Sequence, residues 1–201
     1  RHTILKNENA FSVADIILFK EKMLNWANRF NIFCFLDNHS YNFEEPAFEC
    51  MLAAGCKRSF AFTDENSFDG LQQFHAANPS RLFGHLGYNA GKKAYTGEKK
   101  PEIDFGEGFF FEPEVLIKIS GNEILISTDE PDDATRAFQE ISGFATVHNI
   151  KQNHLNILPV INKQQYIAAI ENLQKHIKRG DCYEINFCQQ FVAENAMIDP
   201  V

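Results

Sequence analysis

One junction near the end of the sequence constrains the fold more than any other feature. Asn162 and Gln165 have the spacing of a capping box, in which each side chain closes the other residue's backbone N–H. Tyr166, Ile170, Leu173 and Ile177 then fall on one helical stripe. Lys175, Lys178 and Arg179 complement the negative end of the helix dipole, and Gly180 is a left-handed stop. Immediately afterwards Tyr183, Ile185, Phe187 and Phe191 alternate with Glu184, Asn186 and Gln190, the period of a half-buried strand. An amphipathic helix hands over directly to a strand with one apolar face.

The same reading extends upstream. Ser12 to Asn31 predicts a helix, with Ser12 and Asp15 as a capping pair and Ile16, Phe19, Met23, Ala27 and Phe30 at helical spacing. The apolar run from Ile32 to Leu36 predicts a buried strand, Pro46 to Ala54 a short helix, and Arg58 to Phe62 another strand. Phe68 to Ala77 reads as a helix closed by Asn78-Pro79. Leu82 to Tyr88 reads as a strand interrupted by Gly84 and Gly87, and residues 90–108 as an exposed loop. Glu114 to Ile119 and Glu123 to Ser127 form a hairpin around Ser120-Gly121-Asn122, and Asp132 to Ile141 is helical. Residues 143–159 are polar and irregular and suit a crossover, so the expected organisation is 1–159 followed by 160–201. The expected class is α+β, with layered antiparallel β-sheets and helices packed outside.

The 201 residues suffice for one large domain or two small ones, and 20 of them are Phe, which suits an aromatic core. A net charge of −8 disfavours sequence-independent binding to nucleic acid. The five cysteines form no CxxC pair and have apolar neighbours, the pattern of reduced thiols in a cytoplasmic protein. No run of 18 apolar residues occurs, so no membrane span is expected. The chain begins at Arg1, without a signal-like segment or an initiating Met, and native residues are expected to precede it.

Chemistry-bearing motifs are scarce. Gly84-His-Leu-Gly-Tyr-Asn-Ala-Gly-Lys-Lys93 lacks the spacing and the hydroxyl of a phosphate loop, and its glycines read instead as places where another backbone comes close. The seven histidines have no zinc spacing, and Glu44, Glu45 and Glu49 read as a solvated face. No GxSxG elbow is present. Spacing alone yields no catalytic, cofactor-binding or metal-ligating set in this chain.

Two sets of residues carry a resemblance. Tyr166 to Phe191, with Gly180, Asp181, Tyr183, Asn186 and Phe191 in place, resembles the opening of the chorismate-binding domain shared by aminodeoxychorismate, anthranilate, isochorismate and salicylate synthases. Glu184 stands where Gln is usual and Gln190 where Arg is common. Upstream, Phe35-Leu-Asp-Asn38 and Gly84-His-Leu-Gly-Tyr88 resemble elements of the N-terminal region in the amino-transferring members, with Asn38 in place of the usual Ser. The short N-terminal region and the Gly-His-Leu-Gly-Tyr wording are most like the aminodeoxychorismate branch; anthranilate synthase component I is the alternative.

The resemblance implies an enzyme that aminates chorismate on the way to p-aminobenzoate and folate. It implies Mg2+ as cofactor and a glutamine amidotransferase subunit that supplies ammonia. It places the family's catalytic and metal-binding residues at no position of this sequence, and it implies that the chain alone is inactive. It also implies a possible non-catalytic role, a tryptophan pocket between two sheets, with Leu36, Asp37 and Asn38 as the matching positions.

Overall fold

The structure is a computed structural model that describes residues 7–39, 41, 48–63, 67–87, 90, 106–145 and 155–196. Its elements run β1 (Asn7–Ser12), α1 (Ile16–Ala27), β2 (Phe33–Asp37), β3 (Cys50–Ala54), β4 (Arg58–Ala61), α2 (Phe68–Ala77) and β5 (Phe83–Leu86). They continue with β6 (Gly108–Glu112), β7 (Val115–Ser120), β8 (Glu123–Thr128), α3 (Pro131–Gly143), β9 (Leu158–Pro159), α4 (Lys163–Arg179) and β10 (Phe191–Val192). The chain divides into two compact units, residues 1–147 and 148–200. All pairs between these strands are antiparallel.

In the first unit a five-stranded sheet has the order β1-β8-β7-β3-β2. One face is covered by α1 and α3. Phe19, Met23 and Trp26 from α1 and Ala134, Ala137 and Ile141 from α3 close over Leu52, Ile117, Ile124 and Ile126. Because successive strand residues alternate faces, Ala53 and Leu116 turn to the opposite side and enter a second core. The fold is therefore α+β, with its helices outside an antiparallel sheet.

β3 overturns an expectation. Cys-Met-Leu-Ala-Ala suits a helix, yet it pairs with β2 on one side and β7 on the other. A strand buried on both faces is a continuous apolar run and shows no period of two. The α1 cap also differs. Ser12 ends β1, and Asp15 caps the helix through Leu18 N–H, 3.0 Å from Asp15 Oδ1.

A three-stranded sheet, β4-β6-β5, completes the first unit. The chain passes from one sheet to the other at two adjacent places, from β3 into β4 at Gly55 and from β6 into β7 at Pro113-Glu114. Such bends are how strands change sheets at a corner. Gly55 has φ 76°, and a Cβ there would lie 2.5 Å from Glu114 Oε2. Glu114 N–H donates to Ala54 O at 3.0 Å and Lys57 N–H to Glu112 O at 2.9 Å, which stitches the two bends together. Phe83 and Phe111 of the second sheet meet Ala53 and Leu116 of the first.

In the second unit the capping box forms as expected. Gln165 N–H donates to Asn162 Oδ1 at 2.9 Å, and Asn162 N–H to Gln165 Oε1 at 3.0 Å. Gly180 takes the left-handed cap with φ 87°. The expected strand does not extend from Tyr183. Only Phe191 and Val192 pair, with Pro159 and Leu158, and Tyr183 is 97% exposed. A strand needs a ladder partner along its length, and β9 supplies two residues. Likewise no residue of α4 is fully buried, although Tyr166 packs on Phe187 with ring centres 5.3 Å apart.

Candidate functional site

The three pocket candidates lie where β2 ends. Alternation places Leu36 on the same face as Cys34, which packs against the second core, and turns Asp37 to the helix-covered face. There Lys20 of α1 reaches Asp37 Oδ1 at 3.3 Å and Glu49 Oε1 at 3.8 Å. Glu49 Oε2 in turn accepts from Gly121 N–H at 2.6 Å. Asn38 N–H donates to Glu49 O at 2.9 Å. The structure turns Leu36 toward the second core and gives Asp37 a separate role in pairing with Lys20 of α1. Lys20 carries no sequence signal for this, because only the packing of α1 brings it to the strand end. Beside it, burial first and the Asp37 charge second push the Cys50 thiol up to about 12.

Gly84 and Gly87 serve the close approach that their spacing suggests. A Cβ on Gly84 would sit 1.9 Å from Phe109 O and 2.8 Å from Phe110 Cα, on the neighbouring strand β6. A Cβ on Gly87 would lie 3.0 Å from Gly106 O. Tyr88, the third member of this motif, lies outside the described residues.

Gly180 and Asp181 form a compact turn at the end of α4. Arg179 Nε donates to Asp181 Oδ1 and Oδ2 at 3.0 and 2.9 Å, and Arg179 Nη2 also reaches Oδ2. His176 Nδ1 lies 2.7 Å from the same Oδ2. The Arg179 bonds first, and the His176 bond second, hold the Asp181 carboxyl below the usual aspartate range. Tyr183 and Asn186 follow on an exposed, irregular stretch.

A cleft of about 230 Å³ lies among α1, α3 and the adjoining ends of β7 and β8. Two ion pairs line it. Trp26 Nε1–H and Arg29 Nη1–H both donate to Glu140 Oε2, at 2.9 and 2.7 Å, and Arg136 pairs with Asp133 at 3.0 Å. Among the described residues no group of three or more His, Cys, Asp or Glu side chains is arranged to hold a metal ion. No helix among the described residues is long and apolar enough to cross a membrane.

Comparison with known proteins adds three findings. The family described as chorismate binding enzyme matches residues 33–201. No curated protein matches the chain. Among solved structures the chain is similar to the menaquinone-specific isochorismate synthase of Escherichia coli, with 15% identity and a TM-score of 0.41, over 88% of this chain and 39% of that one. The chain thus spans 39% of the length of that enzyme's chain.

Proposed function

The chain belongs to the chorismate-binding enzyme family, and from that premise we propose that it is the N-terminal portion of aminodeoxychorismate synthase component I. The observation that carries the proposal is the wording Gly84-His-Leu-Gly-Tyr-Asn-Ala-Gly-Lys92 within the matched residues, which is most like that branch. The reaction exchanges the 4-hydroxyl of chorismate for an amino group and releases water. A glutamine amidotransferase subunit supplies the ammonia. Magnesium supplies Lewis-acid help to the departing hydroxyl in such chemistry. No residue of this chain is assigned to hold it, nor to act as the covalent nucleophile. Under this reading residues 1–159 are the N-terminal region, residues 160–201 open the chorismate-binding domain, and the enzyme works in the cytoplasm.

Genetic complementation separates the branches. The full-length gene to which the chain belongs should restore growth of a p-aminobenzoate-requiring bacterium and leave a tryptophan-requiring one unrescued. The reverse pattern would identify an anthranilate synthase instead. The purified chain by itself, given chorismate, ammonia and magnesium, should form no product that chromatography detects. Turnover by the chain alone would mean that its own residues carry the chemistry.

A second reading, a tryptophan-holding pocket, draws support from Leu36, which follows Cys34 on the face turned toward the second sheet. Calorimetric titration with tryptophan tests it. Binding that Leu36→Arg abolishes supports the pocket, and no heat of binding in the unaltered chain removes it.

A further inference from the structure

The three-stranded sheet carries a helix that it hardly buries. Gly70 is the only fully buried residue of α2. Neither end of that helix closes itself. Ser67 makes no side-chain capping bond, and Asn78 has φ −151° and ψ 87° in place of a left-handed cap. Carbonyls at the end of the helix therefore need a partner from elsewhere, and Arg58 on β4 supplies it. Its Nη1–H donates to Phe74 O at 2.8 Å, its Nη2–H donates to Asn78 O, and its guanidinium stands 4.2 Å from the centre of the Phe74 ring. The guanidinium is fixed from behind. Nε–H donates to Glu112 Oε2 at 2.6 Å and Nη2–H to Ser80 Oγ at 3.1 Å, while the Ser80 hydroxyl donates to Glu112 Oε2 at 2.9 Å. Glu112 and Ser80 are both buried. Further contact comes from rings, Phe60 with Phe74 at 5.6 Å and Phe62 with Phe68 at 5.2 Å.

We propose that α2 is a detachable helix, latched to the three-stranded sheet by the Arg58 guanidinium, and that it opens as a unit while the five-stranded sheet stays folded. Segments with few buried apolar contacts open at the low end of a protein's range of local stabilities, and packed core strands at the high end. The strands under α1 and α3 are of the second kind, because Leu52, Ile117, Ile124 and Ile126 are fully enclosed. A charge-assisted fork is about twice as strong as neutral hydrogen bonds, so the Arg58 side chain is a strong tie on the closed position. Opening uncovers Phe60 and Phe62 and leaves the guanidinium anchored on Glu112 with two donors released. Any ligand or partner that occupies those donors in place of Phe74 O and Asn78 O shifts the balance by its preference for the open position.

Hydrogen exchange on the full chain, followed peptide by peptide by mass spectrometry and corrected for intrinsic rates, tests the latch. In native buffer, residues 68–77 should exchange at least about tenfold faster than residues 115–128. Arg58→Met should raise exchange in 68–77 by about a further tenfold and leave 115–128 unchanged. Arg58→Lys keeps the charge but loses the planar fork, and should give an intermediate rise. Equal exchange of the two segments in the unaltered chain overturns the proposal, whether or not Arg58→Met folds. So does a rate for 68–77 that both substitutions leave unmoved.

Discussion

At the scale of single residues, the strongest constraints are steric. Gly84→Ala places a methyl group 1.9 Å from Phe109 O, so β5 has to withdraw from β6. The expected loss is about 1–3 kcal/mol, measured as a lower denaturant midpoint. Gly143→Ala is the control: nothing lies within 4 Å of the added atom, and the change should stabilise α3 by up to about 1 kcal/mol. Equal effects of the two substitutions would show that β5 and β6 are not in close contact. Thiol chemistry gives an independent check. Cys50 is fully buried with its pKa raised to about 12, whereas Cys188 is exposed. At about pH 8 an alkylating reagent should modify Cys188 first and spare Cys50 until the chain unfolds, which peptide mass spectrometry resolves. Asp181 contributes to the response to acid at the end of α4. Its folded pKa lies below its unfolded one, so its contribution is complete above the unfolded value and is lost as pH falls through the folded value. The last turn of α4 should therefore loosen only below about pH 4. An Asp181 titration midpoint at or above the usual aspartate value, measured by NMR, would contradict the Arg179 and His176 bonds.

At the scale of elements, α4 shows what local signals accomplish without burial. Both ends are specified by the chain itself, through the Asn162–Gln165 box and Gly180. Asn162→Ala should cost α4 about 1 kcal/mol, seen as reduced helical circular dichroism on mild heating. Leu173 lies on the expected apolar stripe but is half-buried in this chain. Leu173→Asp should therefore cost nearer about 1 kcal/mol than the several that an enclosed unpaired charge costs. A loss of all folded structure would mean that the stripe is enclosed after all. α1 is the contrast, because Trp26 is 1% exposed. Trp26→Ala should remove about 3–5 kcal/mol and destabilise the five-stranded sheet with it.

At the scale of the whole molecule, the two compact units differ in how they are held. The first encloses two apolar cores, while α4 in the second has no fully buried residue. Heating should therefore melt α4 before the first unit, giving two transitions when exchange in residues 163–179 is compared with that in 115–128. A single shared transition would mean that the second unit draws its stability from the first.

Much of this architecture was legible in the sequence, and its limits have one physical cause. α2, α3, α4 and the β7–β8 hairpin follow from caps, turn chemistry and helical or two-residue periods, all of which act within a few residues. The roles of Gly84 and Gly87 were legible for the same reason, since the absence of a side chain is itself a local signal. β3 was hidden because burial on both faces erases its period, and its identity is decided by β2 and β7. The strand expected from Tyr183 failed for the converse reason: its alternation is real, but strand structure depends on a ladder partner, and Leu158–Pro159 reaches only Phe191 and Val192. Lys20 with Asp37, and Arg58 with Glu112, were equally out of reach. Sequence period determines which face of an element is apolar. Only the tertiary structure decides what stands opposite that face, because pairing across a sheet joins residues that the chain keeps far apart.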